Sequence, residues 1–321
     1  MIKIGVICNP RSQKNKRDTS ALKAFTDGKP DLLYARLEGV EDLAGILADF
    51  ARKEVGVIAV SGGDGTVQAT LTALTTGKRP FAELPAIAVL PHGMTNMTAS
   101  DIGVSGRGAK GLARLLVRAE DGGLEASMKE RHLLRMENAK DTPPQVGMFF
   151  GGAGIYRAIQ LCHSSIHPLK VEAELANGLT LAALVGRYLL RGGREDEVAR
   201  GDDIAVEIDG EEQGTASYLV VLATTLDRLV LGSRPFWNAA AGDFRYTAIG
   251  FPPRRLFCRL PKLLYGGAER RFADEGYFSQ GAREVTLTMD CPFTLDGQLF
   301  EADPERPLRL TAPETARFVK I

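Results

Sequence analysis

Between residues 57 and 74 the chain reads VIAVSGGDGTVQATLTAL: an apolar, β-like run, then Gly62, Gly63 and Gly65 around one carboxylate, Asp64, then Thr66 and a helical pattern. Glycine tolerates positive φ and lets another group come close to the backbone, so successive N–H groups at such a junction can form a concave anion site. The helix that follows points its partial positive end at the same spot. A tight strand-to-helix turn would use the same glycines for geometry alone. Asp64 is what a turn does not require: a carboxylate beside a phosphate cradle is unfavourable unless it holds a cation, orients a ribose or accepts a proton. Two other loops carry matching chemistry. In NPRSQKN, Asn9, Ser12 and the backbone amides can hydrogen-bond phosphate, with Arg11, Lys14, Lys16 and Arg17 as positive charge. In PHGMTN, Gly93 allows close approach, while Thr95 and Asn96 offer side-chain hydrogen bonds at a helix start. The glycine loop fits neither GxxxxGK[ST] nor GxGxxG, which disfavours a Walker-type ATPase and an ordinary dinucleotide dehydrogenase.

The elements that must position these loops follow from periodicity. IKIGVIC (2–8), DLLYARL (31–37), VGVIAV (55–60) and AIAVLP (86–91) read as buried strands. Between them, VEDLAGILADFARKE (40–54) has Val40, Leu43, Ile46, Leu47 and Phe50 at one-face helical spacing, and a second helix runs from the glycine loop to Gly77. Alternating strands and helices imply parallel pairing with right-handed crossovers. Residues 1 to about 120 are therefore expected to form a doubly wound α/β domain with its ligands at the carboxyl ends of the strands, where all three loops fall.

Length and composition bound the rest. A chain of 321 residues is long for one core, and two domains are expected. Lys plus Arg equals Asp plus Glu at 40 each, so net charge gives no reason to expect a nucleic-acid partner. Cys8, Cys162, Cys258 and Cys291 have no metal or disulfide spacing. MIKIGVICNP lacks a basic n-region and a long apolar stretch, and no apolar run reaches the roughly 18 residues that span a bilayer. A cytoplasmic protein is expected, with membrane association at most peripheral. The sequence does not bear on oligomeric state.

The motifs NPRS, GGDGT and PHGMTN, in that order, resemble the nucleotide-binding half of the diacylglycerol kinase, sphingosine kinase and ceramide kinase superfamily, especially its bacterial lipid kinases. FTLDGQLF (293–300) is similar to that family's late DGE motif on a β-hairpin. The resemblance implies an ATP- and Mg²⁺-dependent kinase acting on the primary hydroxyl of a diacylglycerol or ceramide-like lipid met at a membrane surface. It implies that Gly62, Gly63, Asp64, Gly65 and Thr66 hold ATP, joined by Asn9, Ser12, Gly93, Thr95 and Asn96, and that Asp296 is the general base, with Asp64 placing the cation or the acceptor. Departures from the family pattern are Met94 for threonine, Met97 for aspartate, Ala69 for glutamate and Gln298 for the last residue of DGE. The acidic segment tied to a structural magnesium corresponds to AAAGDFRYT (239–247), where Asp243 alone remains, so the metal arrangement is unknown. An NAD kinase-like phosphotransferase, sharing GGDGT, and a catalytically inactive nucleotide- or lipid-binding homologue are the alternatives.

From 121 to 321 short strands and turns predominate, and the expectation is a β-rich, sandwich-like lipid domain with inserted helices at roughly 154–192 and 253–265, its last strand free to return to the interface with the first domain. Asp209-Gly210 is a second DG pair, and Asp-Gly is foremost a hairpin turn. Of the histidines, 92, 132, 163 and 167, none has metal or triad spacing, and His92 alone lies in a site loop. In PPRRLFCRLPKLLYGG, Leu256, Phe257, Leu260, Leu263 and Leu264 recur at helical spacing among Arg254, Arg255, Arg259 and Lys262. That is the pattern of a helix lying on an anionic lipid surface, with Arg254, Arg255 and Arg259 as contacts, and equally of a helix packed on its own sheet.

Overall fold

The computed structural model describes residues 2–12, 19–93, 95–161, 200–239, 241–267, 272 and 275–321. Lys14, Lys16, Arg17, Met94, Cys162, His163, His167 and most of the helix expected over 154–192 lie outside these. The chain divides into two compact units, Met1–Leu133 with Glu314–Ile321, and Leu134–Pro313.

In the first unit β1 (Lys3–Cys8) lies between β2 (Leu32–Arg36) and β3 (Val55–Gly62), and β4 (Ala86–Pro91) flanks β3, all parallel. The end of the last strand of the chain adds to β4 in parallel, Phe318 opposite Ile87. These strands are near-continuous apolar runs because both faces are covered. Ile4, Val6, Cys8, Val57, Ala59, Ala88 and Leu90 share a core with Leu22 of α1 (Thr19–Thr26) and with Leu112 and Leu115 of α5 (Gly108–Glu120). Gly5, pointing the other way, meets Phe50 of α2 (Leu43–Arg52), so closely that a Cβ at position 5 would lie 2.4 Å from the ring. Helices thus cover both faces of the sheet, the doubly wound arrangement. α2 begins three residues later than its apolar spacing predicts: Val40–Asp42 is a 3₁₀ turn, and Val40 is 63% exposed instead of on the buried stripe.

The second unit is antiparallel. β8 (Asp202–Ile208) and β9 (Glu211–Thr224) form a hairpin, and β9 pairs onward with β10 (Phe244–Gly250), which pairs with β11 (Tyr277–Ala282). β7 (Phe149–Ala153) joins β9 to β13 (Phe293–Leu295), and β13 turns into β14 (Gln298–Phe300). On the other side β8 pairs β12 (Glu284–Met289), and β12 pairs the start of β15 (Leu308–Val319). Phe150, Val206, Val221, Tyr246, Leu287 and Phe293 represent the core these strands enclose. The remaining helices are α3 (Asp64–Thr75) and α4 (Met97–Ile102) in the first unit, and α6 (Gly154–Leu161) and α7 (Leu256–Tyr265) in the second. β5 (Met128–Glu137) passes from the first unit into the second and pairs β6 (Gln145–Gly147). No helix among the described residues is long and apolar enough to cross a membrane.

Candidate active site

The two central loops of the first unit touch backbone to backbone. A Cβ on Gly93 would lie 2.6 Å from Gly63 Cα, and one on Gly63 would lie 3.0 Å from Gly93 Cα. Only glycine at both positions lets the loop after β3 and the loop after β4 come this close. His92 N–H donates to the Gly62 carbonyl at 2.9 Å and fastens the same seam.

Asp64 opens α3, where its charge suits the helix dipole, yet its carboxylate serves the neighbouring loop. Oδ2 accepts the Met97 N–H at 3.0 Å and Oδ1 the Thr98 N–H at 3.2 Å, so Asp64 satisfies the first amides of α4. Asn96 caps α4 in the left-handed region, φ 48°, and closes its loop by accepting from Gly93 N–H and donating to the Gly93 carbonyl, both at 2.8 Å. Asp64 as a residue is half-buried while its carboxyl group is enclosed; burial pushes the carboxyl above the ordinary range, and the amides of Met97 and Thr98 pull the other way. Met97 meets Asp64 through its backbone N–H, which any non-proline residue supplies.

The first loop reaches the same place. Asn9 Nδ2 donates to Thr66 Oγ1 at 2.9 Å, Asn9 N–H to the Ser61 carbonyl at 2.9 Å, and Asn9 Oδ1 accepts from Arg11 N–H at 2.9 Å. Ser12 N–H donates to the Asn9 carbonyl at 3.3 Å. Asn9, Thr66, Gly62, Gly63, Asp64, Gly93 and Asn96 are therefore brought together at the carboxyl ends of β1, β3 and β4, with Gly65 and Thr95 in the same loops. His92 is fully buried, its Nδ1 2.9 Å from the Leu90 carbonyl and 3.2 Å from Ser61 Oγ; it braces the strand ends.

A residue that motif reading passed over is Asp101, at the far end of α4. Its side chain is fully buried against Arg131 Nε at 2.9 Å, and Lys129 Nζ donates to its carbonyl at 2.9 Å. An acid in a short helix followed about thirty positions later by Lys-Glu-Arg on a strand carries no motif, and only the fold pairs them.

In the second unit Asp296 and Gly297 form a two-residue turn between β13 and β14, with φ of 48° and 82°, the left-handed pair such hairpins favour. Asp296 is 5% exposed; its Oδ2 accepts Met148 N–H and its Oδ1 Phe149 N–H, both at 2.9 Å. A Cβ on Gly147 would stand 2.5 Å from Asp296 Oδ2, so glycine there makes room for the carboxylate. Asp209 has the same turn conformation but is exposed, and its Oδ1 alone accepts the amides of Arg283 and Glu284. Asp243, beside its corresponding acidic segment, is exposed, and among the described residues no three His, Cys, Asp or Glu side chains converge as a metal site.

Of the three arginines expected at a lipid surface, Arg259 is engaged within the second unit. Its guanidinium forms a two-point ion pair with Glu275 and lies over the Phe272 ring, 5.0 Å from its centroid. With α7 seated by Leu256 and Leu263 on Leu219, Trp237 and Tyr277, position 259 falls on the inward side of the helix. Arg254 and Arg255 are exposed.

The first unit is a doubly wound sheet with three loops gathered at the carboxyl ends of its strands. Residues 3–123, the N-terminal part of the chain, match the family model described as the diacylglycerol kinase catalytic domain. No curated protein matches the chain in sequence. Among solved structures, a candidate diacylglycerol kinase from Bacillus anthracis str. Sterne is similar at 18% identity and TM-score 0.66, over 99% of this chain and 97% of that one. A diacylglycerol kinase from the same strain has 16% identity, TM-score 0.60 and the same coverage. Yeast NADH kinase complexed with NADH is more distant, at 9% identity and TM-score 0.51 over 100% and 84%. At such identities the likeness is one of fold.

Proposed function

We propose that this chain transfers the γ-phosphoryl group of MgATP to the primary hydroxyl of a diacylglycerol- or ceramide-type lipid. The observation that carries the reading is the Gly63–Gly93 contact, which joins two glycine loops at the strand ends of a domain matched to the diacylglycerol kinase catalytic family. The amides at the start of α3, Asp64 and Gly65, have no carbonyl one turn earlier within the helix, and with Gly62, Gly63 and Thr66 they suit phosphate oxygens. Asn9 orients the Thr66 hydroxyl, and Ser12, Gly93, Thr95 and Asn96 line the flanking loops. Asp64 aligns the loops by holding α4. Mg²⁺ enters with the nucleotide and neutralises its phosphates; the described side chains do not make a resident metal site.

In this reading Asp296 accepts the proton of the acceptor hydroxyl as its oxygen bonds to the γ-phosphorus and the bond to the bridging oxygen breaks, releasing ADP. The fold likeness to yeast NADH kinase supports a second reading, with NAD as acceptor.

The test is incorporation of γ-labelled phosphate from MgATP into mixed micelles of diacylglycerol, ceramide or sphingosine, and into NAD, beside Asp296→Asn. Label in one lipid, lowered by about two to four powers of ten in the variant, supports the lipid kinase with Asp296 as base. Label in NAD alone moves the assignment to the second reading, and ATP binding without any transfer moves it to a non-catalytic homologue.

A further inference from the structure

Six large apolar side chains are well exposed among the described residues, and three of them, Leu231, Phe257 and Tyr265, belong to one surface of the second unit. α7 builds most of it. Leu256 and Leu263 are buried on the cluster containing Trp237 and Phe272, so the outward face is the one carrying Phe257, Pro261 and Tyr265, spaced four residues apart in a single ridge. Phe257 is 40% and Tyr265 58% exposed. The turn at Leu229–Ser233 is tied to the end of this helix: Arg234 N–H donates to the Leu264 carbonyl at 2.7 Å, and Tyr265 Oη to the Leu231 carbonyl at 3.4 Å. That turn holds Leu231 at φ 58° and 48% exposed, at the same end as Tyr265.

Cations predominate around the ridge. Residues 252–267 contain four cations and no Asp or Glu. Glu275, from outside the segment, pairs with Arg259 on the inward side and lies within electrostatic reach of Arg254 and Arg255, which with Lys262 are exposed. An exposed apolar row costs free energy in water, so its persistence beside exposed cations asks for a partner that is apolar within and anionic at its surface. A polyanion such as nucleic acid would use the cations and not the ridge. An anionic phospholipid bilayer uses both, with the helix lying in the interfacial plane.

We propose that the outward face of α7 with the Leu229–Ser233 turn is a docking surface for anionic phospholipid membranes, with Phe257, Tyr265 and Leu231 entering the acyl boundary and Arg254, Arg255 and Lys262 meeting headgroups. This deepens the lipid kinase reading, because a bilayer-resident acceptor must be approached along a membrane, but its test does not need catalysis.

The full chain is co-sedimented with vesicles of phosphatidylcholine alone or mixed with phosphatidylglycerol. The parent is expected to bind the mixed vesicles, Arg254→Gln and Arg255→Gln each lowering the partition about fivefold at moderate salt. Phe257→Ser and Tyr265→Ser lower it further. Trp237, the one tryptophan, lies beneath α7, and unchanged emission from it shows that the helix remains seated in each variant. Equal partition of parent and arginine variants onto mixed vesicles overturns the proposal. So does a concentration-dependent dimer that Phe257→Ser abolishes, which would give the face to a second copy, or heparin binding indifferent to Phe257→Ser. Vesicle binding without transfer to any lipid leaves the surface standing and sinks the kinase reading; transfer to a water-soluble short-chain diacylglycerol without vesicle binding does the reverse.

Discussion

Asp64 and Asp296 are held alike: each carboxylate accepts two successive backbone N–H groups, Met97 and Thr98 for one, Met148 and Phe149 for the other. Replacing Asp296 by Asn separates the carboxylate from its turn, because Asn tolerates the left-handed conformation but turns an NH₂ toward one of the two amides. The expected cost is about 1–3 kcal/mol of stability from one unsatisfied buried N–H, read by thermal melting. If Asp296 is the base, the loss in turnover far exceeds what this shift in melting accounts for; a turnover loss matched by unfolding at the assay temperature would reduce it to a turn residue. Gly93→Ala tests the loop contact. A Cβ 2.6 Å from Gly63 Cα must part the two loops, and displacement of groups that position phosphate is expected to lower kcat/KM for ATP by about one to two powers of ten while the fold survives. An unchanged ATP titration would separate this contact from nucleotide binding. The glycines and Asp64 were legible in sequence as a strand-to-helix loop at the carboxyl end of a strand; that both Asp64 oxygens are committed to α4 was not, since the partner amides lie 33 and 34 positions on and carry no side-chain signature.

α4 and α7 show what fixes short helices whose own propensity is weak. α4 has six residues, too few to stand alone in water, and is tied by Asp64 at its start and by Arg131 through Asp101 at its end. Arg131→Leu takes the close guanidinium away from the buried Asp101 carboxylate, and the expected destabilisation is about 3–5 kcal/mol by denaturant titration. Adding Asp101→Asn should recover part of it; a double variant no better than the single would deny the pair its role. On α7 the Arg259–Glu275 pair works with pH. Arg259 holds the Glu275 carboxyl below its ordinary value of 4.5, so the pair stabilises the folded chain above that value and loses its contribution as pH falls through the depressed one. Trp237 emission, through its edge contact with Phe272, should shift in that acidic window for the parent and be insensitive there in Glu275→Gln. Periodicity placed α7 correctly but did not reveal the pairing of Arg259 with Glu275, because helical spacing gives a stripe and not the location of its counter-ion.

At the scale of the whole molecule, the order of elements in the first unit could be read from alternating apolar runs, whereas the last strand was expected only to be free to return toward the first domain, and no local pattern gave its place beside β4. Glu314–Ile321 belongs to the first unit, with Phe318 and Val319 fully buried and Ile321 3% exposed. Phe318 pairs with Ile87 on β4, Ser105 N–H donates to the Ile321 carbonyl at 2.6 Å, and Arg79 pairs with Glu314 at 3.0 Å. β4 is the strand whose carboxyl end leads to Gly93, so these last residues support the strand from which that loop springs. Burial of three such side chains contributes about 5–9 kcal/mol, as large as the net stability of many domains. Removing Glu314–Ile321 is therefore expected to abolish ATP binding through loss of the first unit's fold, measured by nucleotide titration and by amide exchange over β1–β4. Retained protection across those strands would show that the parallel sheet closes without its last member. Phe318→Ala, which keeps the backbone pairing, should instead give an intermediate loss of about 3–5 kcal/mol with ATP binding intact below the lowered melting temperature.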